Sequence, residues 1–318
     1  MNKIKAIITK QKKNIEMNHP RLLIYLLMIQ RKRIKPVCDW TQDELVKGVM
    51  NCYKRHMGYS FDINTPVLFT EKLQWYKCFY ERPDMNEITD KYLFKKYINE
   101  KLGDGYTIPV YGAWTSVREL EKDWDSLPEE FVLKANLQSD GRNIKIIHKK
   151  SDIKFSSIKR QMKAWLDKRN TLANSFDCKT YCGTPRILAE EYMANYKDQL
   201  YDYKFFCFDG VIYCIYVAQD HFGKDGSHIS FYDLDWNKMD VKYGNHIVGD
   251  APCPKHFKEM IKIAQQLSIG FPFIRVDFFD TEEKLYVAEL TFNPGGGVTS
   301  YHPVEFNKKL GDMFVLPR

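Results

Sequence analysis

The chain has 318 residues, which is long enough for two or three domains and a large hydrophobic core. Hydrophobic residues make up 44% of it and charged residues 28%, the ordinary composition of a globular protein. The net charge is +7, but residues 1–35 alone carry about +9, so the remainder is near −2. A near-neutral body excludes a basic nucleic-acid-binding domain, and we expect no nucleic-acid partner.

The basic segment at residues 1–35 contains an apolar run at 22–29, followed directly by Arg31-Lys32-Arg33. A run of this length is too short to cross a bilayer, which takes about 20 apolar residues. A signal peptide would have small residues at a cleavage site where this chain has Arg-Lys-Arg. We interpret residues 1–60 as a basic helical segment. Two placements stay open: residues 1–35 make a peripheral contact with an anionic membrane surface, or they dock on the body of the protein.

The eight cysteines are scattered and form no Cys-x-x-Cys pair. The closest two, Cys178 and Cys182, have no histidine cluster beside them, so a zinc site is not expected. Single cysteines in a Lys-rich chain fit a reducing compartment. We therefore predict a cytoplasmic protein, placed at the inner face of the membrane if residues 1–35 bind lipid.

The first half of the body is predicted to be helical. Helices are expected over residues 39–57, with Thr41 and Glu44 as a capping box, then over 70–80 and about 90–98. Lys91 lies near the start of the third helix, where backbone amides attract anions. A solvated surface lysine is the alternative interpretation. A short strand follows at residues 108–111.

A buried strand over residues 127–136 carries Lys134 near its end, and a lysine there suits a phosphate group. The next loop contains Ser139 and Gly141, and its amides can close over phosphates. An ordinary hairpin loop between this strand and a strand at 144–148 is the alternative. A helix is expected over 151–170, and then a strand over 186–193.

A β-hairpin is predicted over residues 202–216, with Asp209-Gly210 as its two-residue turn. Lys204 lies within its apolar strand, and because a buried lysine is costly unless paired, we expect an anionic partner. Amphipathic helices are expected over residues 257–267 and 304–314.

A second hairpin has strands over residues 273–279 and 284–290, and each strand contains one carboxylate, Asp277 and Glu289. If the strands pair antiparallel, the two carboxylates lie side by side and repel each other unless a cation neutralises them. Mg²⁺, which prefers oxygen ligands, fits such a pair. The alternative is that both acids face solvent.

More polar groups surround this hairpin. Thr291 and Asn293 supply further oxygens, and Arg275 supplies a fork of donors suited to phosphate or carboxylate. The glycines of Pro294-Gly295-Gly296-Gly297 allow the backbone to approach a ligand closely. The hairpin is therefore a candidate metal and phosphate site.

The order and spacing of several short motifs resemble the ATP-grasp family over residues 70–314. The resemblance is closest to the TupA-like branch, which is found among bacterial cell-surface polysaccharide proteins. The motifs are Phe69-Thr70-Glu71-Lys72-Leu73-Gln74-Trp75, Asp90-Lys91, Phe131-Val132-Leu133-Lys134, Glu190-Glu191, Asp202-Tyr203-Lys204-Phe205-Phe206-Cys207-Phe208-Asp209-Gly210, Arg275-Val276-Asp277-Phe278 and Glu289-Leu290-Thr291-Phe292.

The resemblance implies an α+β protein with the ATP-grasp fold, in which two α+β subdomains clasp a nucleotide. With the helical segment at residues 1–60, we expect a helical or α/β region at 61–113. The two subdomains are expected at 114–193 and 194–318, the second of them holding the metal site.

The resemblance also implies roles for single residues, with ATP and Mg²⁺ as cofactors. Phosphate contacts are expected from Lys91, Lys134 and the loop residues Ser139 and Gly141. The hinge segment that meets the adenine corresponds to Glu190, Glu191, Tyr192 and Met193. Lys204 faces the nucleotide, and it and Arg275 are the catalytic candidates. The metal ligands correspond to Asp277 and Glu289, with Thr291 and Asn293 as further oxygen ligands.

The sequence departs from the family pattern at two places. The family motif Glu-x-Asn is here Glu289-Leu290-Thr291, so either Thr291 or Asn293 replaces the usual asparagine. The phosphate loop is usually rich in Gly and Ser, but this chain has Asp140, which repels phosphate unless it turns away or meets a cation.

The resemblance implies an ATP-dependent carboxylate–amine ligase that forms an acyl phosphate and acts in cell-surface or capsular polysaccharide biosynthesis. Its substrates would be a carboxylate and an amine, one of them on a glycan or sugar precursor. One alternative is a glycosyltransferase that uses a nucleotide sugar, for which Asp233-Leu234-Asp235 is the candidate Asp-x-Asp motif. The other is a non-catalytic nucleotide-binding relative.

Overall fold

The structure is a computed structural model that describes residues 39–137, 143–167, 183–193, 201–219, 228–281 and 283–317. Its helices are α1 (Gln42–Met57), α2 (Phe69–Phe79), α3 (Met85–Thr89), α4 (Leu93–Leu102), α5 (Val117–Asp123), α6 (Phe155–Trp165), α7 (Phe257–Ser268) and α8 (Val304–Met313). Its strands are β1 (Val110–Trp114), β2 (Phe131–Ala135), β3 (Ile144–Ile147), β4 (Ile187–Glu190), β5 (Asp202–Phe208), β6 (Val211–Gln219), β7 (His228–Tyr232), β8 (Lys238–Met239), β9 (Lys242–Tyr243), β10 (Ile247–Val248), β11 (Ile274–Asp280), β12 (Leu285–Thr291) and β13 (Tyr301–His302).

The smaller sheet has the antiparallel order β1-β4-β2-β3. One of its faces is packed against α5 and α6 by an apolar cluster that includes Leu120, Phe131 and Met162. The register pairs Val132 with Glu190 and Lys134 with Leu188. Lys134 and Glu190 are therefore diagonal neighbours on one face of the sheet, within reach of each other's side chains.

The larger sheet has the order β10-β7-β6-β5-β11-β12, and β8 pairs with β7. Side chains alternate between its faces. Phe205 on one face packs against Phe257 of α7, whereas Phe206 on the other packs against Phe69 of α2. Asp202 and Lys204 lie on the same face as Phe206, because they are four and two residues before it in β5. The polar residues therefore continue a face whose apolar part is covered by α2.

Most of the predicted elements are confirmed. Thr41 caps α1 with Glu44 as its capping-box partner, and Asp209-Gly210 forms the hairpin turn with positive φ angles of 46° and 82°. The predicted strand at 108–111 begins two residues too early and ends three residues too early, because β1 runs from Val110 to Trp114. The predicted helix at 151–170 is shorter in the structure, where α6 is Phe155–Trp165.

Two sequence-based predictions concern the ends and the division of the chain. The basic segment at residues 1–35 lies outside the described residues, so its membrane contact stays a prediction. Within the part of the chain that the structure describes, no helix is both long enough and apolar enough to cross a membrane. The four-part division at residues 60, 113 and 193 also stays a prediction.

Candidate active site

The larger sheet carries a row of charged residues across three adjacent strands. Lys204 of β5 is the direct cross-strand partner of Asp277 in β11, and Asp277 is the direct partner of Glu289 in β12. Direct partners point to the same face of a sheet. We call Lys204, Asp277 and Glu289 the carboxylate row. The hairpin β11–β12 thus places its two acids side by side, as the sequence predicts.

Arg275 and Thr291 form a second row beside the carboxylate row, two residues away along β11 and β12. The guanidinium of Arg275 donates to both carboxylate oxygens of Asp277, through Nε to Oδ1 and Nη2 to Oδ2, each at 2.6 Å. Nη2 also donates to Thr291 Oγ1 at 3.2 Å. Asp277 is almost fully buried, and this bidentate ion pair neutralises the charge of its carboxylate.

Lys204 is a second cation on the same carboxylate. Its ammonium donates to Asp277 Oδ2 at 2.8 Å and also to Asp202 Oδ2. Burial alone would lower the pKa of Lys204, but Asp202 and Asp277 outweigh it and raise the pKa. The pKa of Arg275 is likewise raised, because the attraction of Asp277 outweighs the effect of burial. Both side chains therefore stay charged.

Glu289 is the most accessible carboxylate of the row, with 26% of its side chain exposed. Its Oε1 lies 3.9 Å from Nζ of Lys91. Lys91 belongs to the loop before α4, and its backbone N–H donates to the carbonyl oxygen of Asn136, just after β2, at 3.3 Å. The ion pair between Lys91 and Glu289 therefore joins the end of the smaller sheet to the charged face of the larger one.

The smaller sheet has its own buried carboxylate, Glu190. Lys134 Nζ lies 2.6 Å from Glu190 Oε2, and Lys95 Nζ lies 2.9 Å from Oε1. Burial alone would raise the pKa of Glu190, but the two lysines outweigh it and lower the pKa to about 2. Burial also lowers the pKa of Lys95, although Glu190 counteracts this effect. We call Lys95, Lys134 and Glu190 the lysine cluster.

Asp90 fixes the loop that carries Lys91. It is fully buried and accepts hydrogen bonds from the backbone N–H groups of Tyr92 and Leu93. It also accepts from Asn136 Nδ2 at 2.7 Å and pairs with Arg186 at 3.3 Å. The amides expected to attract an anion at the start of the third helix are thus capped by Asp90, and Lys91 lies in the turn before α4.

The segment predicted to meet the adenine follows directly after β4. The Glu191 N–H donates to the carbonyl oxygen of Pro109 at 3.0 Å, which holds this segment beside β1. Tyr192 and Met193 are half-buried, and the ring of Tyr192 contacts that of His148 at 5.1 Å. The Glu190 side chain instead points toward Lys95 and Lys134. The backbone of residues 190–193 is therefore the part of this segment that is available to an adenine base.

The glycine-rich loop after β12 is held by helix α2. Gly295, Gly296 and Gly297 all have positive φ angles, between 58° and 64°, which favour glycine. Lys77 Nζ donates to the Gly296 carbonyl oxygen at 2.7 Å, and Gln74 Nε2 to that of Gly297 at 2.8 Å. A Cβ atom at Gly297 would lie 2.3 Å from Gln74 Nε2. The loop can therefore pass this close to α2 at residue 297 only because that residue is a glycine.

The oxygens around the carboxylate row fit a divalent cation that takes its remaining ligands from substrate phosphates and water. In the described ranges, no group of three or more His, Cys, Asp or Glu residues could hold a metal ion. Mg²⁺, however, commonly takes one or two carboxylates together with substrate phosphates and water. Asn293 Oδ1 is buried and has no hydrogen-bond partner, so it can accept from or coordinate a further group. Glu289 and Asn293 are thus the most available oxygens.

The sequence predicts the part of the site on the larger sheet more completely than the part on the smaller sheet. It misses Lys95 and Asn136, whose partners lie far away in the chain, and Asp202, whose partner Lys204 is only two residues away and could have pointed to it. Ser139, Gly141 and Asp140 lie outside the described residues, so the phosphate loop stays a prediction. Asp233 accepts hydrogen bonds from the backbone N–H groups of Asp235 and Asn237 within an exposed turn.

Comparison with known protein families decides the affiliation. The model of the TupA-like ATP-grasp family matches residues 71–315. The chain belongs to this family. The matched residues include all thirteen strands, which fall within residues 110–302. No curated protein matches the chain.

Solved structures with a similar arrangement include several ligases. The D-alanine–D-alanine ligase of Bacillus anthracis complexed with ATP has 16% identity and a TM-score of 0.41, over 71% of this chain and 64% of that one. The Helicobacter pylori enzyme has 14% identity and a TM-score of 0.40, over 72% and 61%. The biotin carboxylase domain of Hydrogenobacter thermophilus 2-oxoglutarate carboxylase, with MgADP, has 16% and 0.38, over 73% and 47%. This TupA-like chain thus spans less than two thirds of each.

Proposed function

We propose that this TupA-like protein is an ATP-dependent carboxylate–amine ligase. A carboxylate oxygen of one substrate attacks the γ-phosphorus of ATP, and ADP leaves. An amine then attacks the acyl carbon, and phosphate leaves as the amide bond forms. The observation that carries the proposal is the ion pair between Lys91 and Glu289, which brings the charges of the two sheets to one place.

The cations of this place are suited to an ATP phosphate chain. Lys91 and Lys134 come from the smaller sheet and the loop beside it, and Arg275 and Lys204 come from the larger sheet. Lys91 and Lys134 are each about one-fifth exposed, so they can turn toward a phosphate. Fixed positive groups stabilise the negative charge that develops during phosphoryl transfer without reorganising at that moment.

Asp277, Glu289, Thr291 and Asn293 are the proposed holders of Mg²⁺, which supplies neutralisation of phosphate charge when it is bound. Asp277 Oδ1 accepts one hydrogen bond, from Arg275 Nε, and a carboxylate oxygen has about two lone-pair positions. Glu289 adds an accessible carboxylate, and Asn293 adds a buried oxygen without a partner. Arg275 holds Asp277 in a fixed orientation through its two hydrogen bonds.

The acceptor belongs to the finer part of the proposal. By its family, we propose a role in bacterial cell-surface or capsular polysaccharide biosynthesis, with the carboxylate or the amine on a glycan or sugar precursor. We place the protein in the cytoplasm, at the inner face of the membrane if residues 1–35 bind lipid.

One observation favours a nucleotide-binding relative without turnover. Both oxygens of Asp277 already accept hydrogen bonds from cations, and the hydroxyl of Thr291 accepts from Arg275 as well. A ligand set engaged in this way binds a metal ion less readily than an open one. Release of ADP in the presence of a carboxylate and an amine separates the two functions, because only the ligase produces it.

Glu289→Gln is the variant that tests the ligase proposal. Asp277 is less suitable because its loss removes the carboxylate partner of buried Arg275 and leaves Lys204 with Asp202 alone. A metal contribution of several kcal/mol to the transition state corresponds to a fall in ADP release of at least about 100-fold. In the wild type, ATP with Mg²⁺ at 100 times Kd stabilises the fold by about 2.7 kcal/mol, which raises Tm by several degrees. We expect Glu289→Gln to reduce that rise.

Glu283→Gln is the matched control, since Glu283 is exposed in the turn of the same hairpin. It should release ADP and respond to ATP like the wild type. Full activity of Glu289→Gln would refute the metal assignment. A rise in Tm with a UDP-sugar and none with ATP would instead support the glycosyltransferase interpretation.

A further inference from the structure

The carboxylate row contains two places where a cation is needed, and a lysine fills one of them. Asp277 lies between Lys204 and Glu289 in the register of three adjacent strands. On the Glu289 side, two acids are direct neighbours. On the other side, Asp202 and Asp277 are bridged by the ammonium group of Lys204, which is 2.8 Å from Asp277 Oδ2.

The hydrogen bonds of Asp277 show which side remains open. Oδ2 accepts from Arg275 Nη2 at 2.6 Å and from Lys204 Nζ at 2.8 Å, so both of its lone-pair positions are used. Oδ1 accepts only from Arg275 Nε among the hydrogen bonds of the described residues. A cation that reaches Asp277 without displacing a side chain therefore binds through Oδ1, and none can bind through Oδ2.

The charge of this group points the same way. Three carboxylates, those of Asp202, Asp277 and Glu289, face three cations, Lys204, Arg275 and Lys91, so these six residues together carry no net charge. Removal of Lys204 would make the net charge −1 and leave Asp202 and Asp277 without the cation between them. Two-metal sites, with ions about 3.5–4 Å apart, need carboxylates that bridge or flank both ions.

We propose that Lys204 takes the place of a second divalent cation, so that the nucleotide-bound protein holds one divalent cation rather than two. This inference rests on the proposed function, because the cation enters with the nucleotide. Lys204 then has a definite task. Its fixed ammonium group neutralises Asp202 and Asp277 at every stage, whereas a second metal ion would have to be bound from solution.

The number of metal ions per chain tests this directly. Mn²⁺ replaces Mg²⁺ as the probe, and the full chain is saturated with the non-hydrolysable analogue β,γ-imido-ATP. Electron paramagnetic resonance counts the free and bound Mn²⁺ and detects two coupled ions by the splitting of their spectrum. We expect one Mn²⁺ per bound nucleotide in the wild type, with no coupled spectrum.

Lys204→Met should change the count from one to two, with a coupled spectrum, because Asp202 and Asp277 then face an open position. Lys204→Arg is the matched variant that keeps a cation, and it should stay at one. Adding Asp202→Asn to Lys204→Met should return the count to one, since the second ion loses a carboxylate.

Three outcomes of the Mn²⁺ measurements would contradict the inference or the proposed function. Two Mn²⁺ ions in the wild type would overturn the inference and leave the proposed function standing, and this holds even if Lys204→Met does not fold. One ion in a folded Lys204→Met variant would overturn the role assigned to Lys204. If the wild type does not bind the analogue at all, both the inference and the proposed function fail.

Discussion

The two sheets each bury a carboxylate, and they neutralise it differently. In the larger sheet, Asp277 is bound by Arg275 and Lys204, which lie on the same and the adjacent strand and are almost fully buried. In the smaller sheet, Glu190 is bound by Lys134 of the next strand and by Lys95 of helix α4. These two lysines are 21% and 15% exposed.

This difference separates the cations of Asp277, which are fixed, from those of Glu190, one of which can change its partner. Arg275 and Lys204 cannot leave Asp277 without leaving buried charge behind, so their main effect is to hold the face of the sheet in one arrangement. Lys134 can turn toward solvent or a ligand while Lys95 stays on Glu190. The larger sheet thus supplies a rigid charged surface, and the smaller sheet supplies a lysine that can change partners.

The first prediction tests the fixed group. Asp277→Ala removes the carboxylate partner of buried Arg275 and one of the two carboxylates bound by Lys204, and breaking a buried ion pair costs about 3–5 kcal/mol. Glu289→Ala should cost under about 1 kcal/mol, because its side chain is partly exposed and its ion pair with Lys91 is long. Urea denaturation of both variants measures the free energy of unfolding. Equal losses of unfolding free energy in the two variants would contradict this prediction, because Asp277 and Glu289 would then contribute equally to stability.

The second prediction concerns the pH dependence of the lysine cluster. The pKa of Glu190 is about 2, compared with 4.5 for an unperturbed group. A lowered carboxyl pKa contributes stability that is present above the unfolded value and is lost as the pH falls through the folded one. The contribution is on the order of 3 kcal/mol, lost between about pH 5 and pH 2.

Glu190→Gln isolates this effect from the other carboxylates. Its free energy of unfolding should be lower than that of the wild type at pH 6, and the gap should narrow as the pH falls from 5 to 3. Urea denaturation at each pH gives the gap. A gap that stays constant would mean that Glu190 does not have the low pKa on which the comparison of the two clusters rests.

The same contrast explains what the sequence predicts. The hairpin of Asp277 and Glu289 is predictable because both acids interrupt apolar runs that are joined by a short turn, and antiparallel pairing then brings them together. Lys204 is predictable as a buried lysine that needs an anion. The pair formed by Lys95 and Glu190 is not, since it joins a helix to a strand in another part of the chain and nothing in the local pattern distinguishes Lys95 from Lys96.

Those two adjacent lysines provide the last and smallest prediction. Lys95 donates to Glu190 and to the Ile108 carbonyl oxygen at 2.7 Å, whereas Lys96 is 79% exposed and pairs only loosely with Glu100 among its described contacts. Lys95→Met should cost about 1–3 kcal/mol, the loss of a charged hydrogen bond, and Lys96→Met close to zero. Both free energies come from urea denaturation.

Lys95→Met also tests whether Lys134 is the adjustable partner. With Lys95 gone, Lys134 is the remaining cation on Glu190, and turning it toward a phosphate leaves that carboxylate buried and unpaired. We therefore expect the Kd of β,γ-imido-ATP to rise about tenfold, which corresponds to about 1.4 kcal/mol. Lys95→Arg, which keeps the cation, should restore most of the affinity. An unchanged Kd in a folded Lys95→Met variant would mean that Lys134 never leaves Glu190, and the smaller sheet would then be as fixed as the larger one.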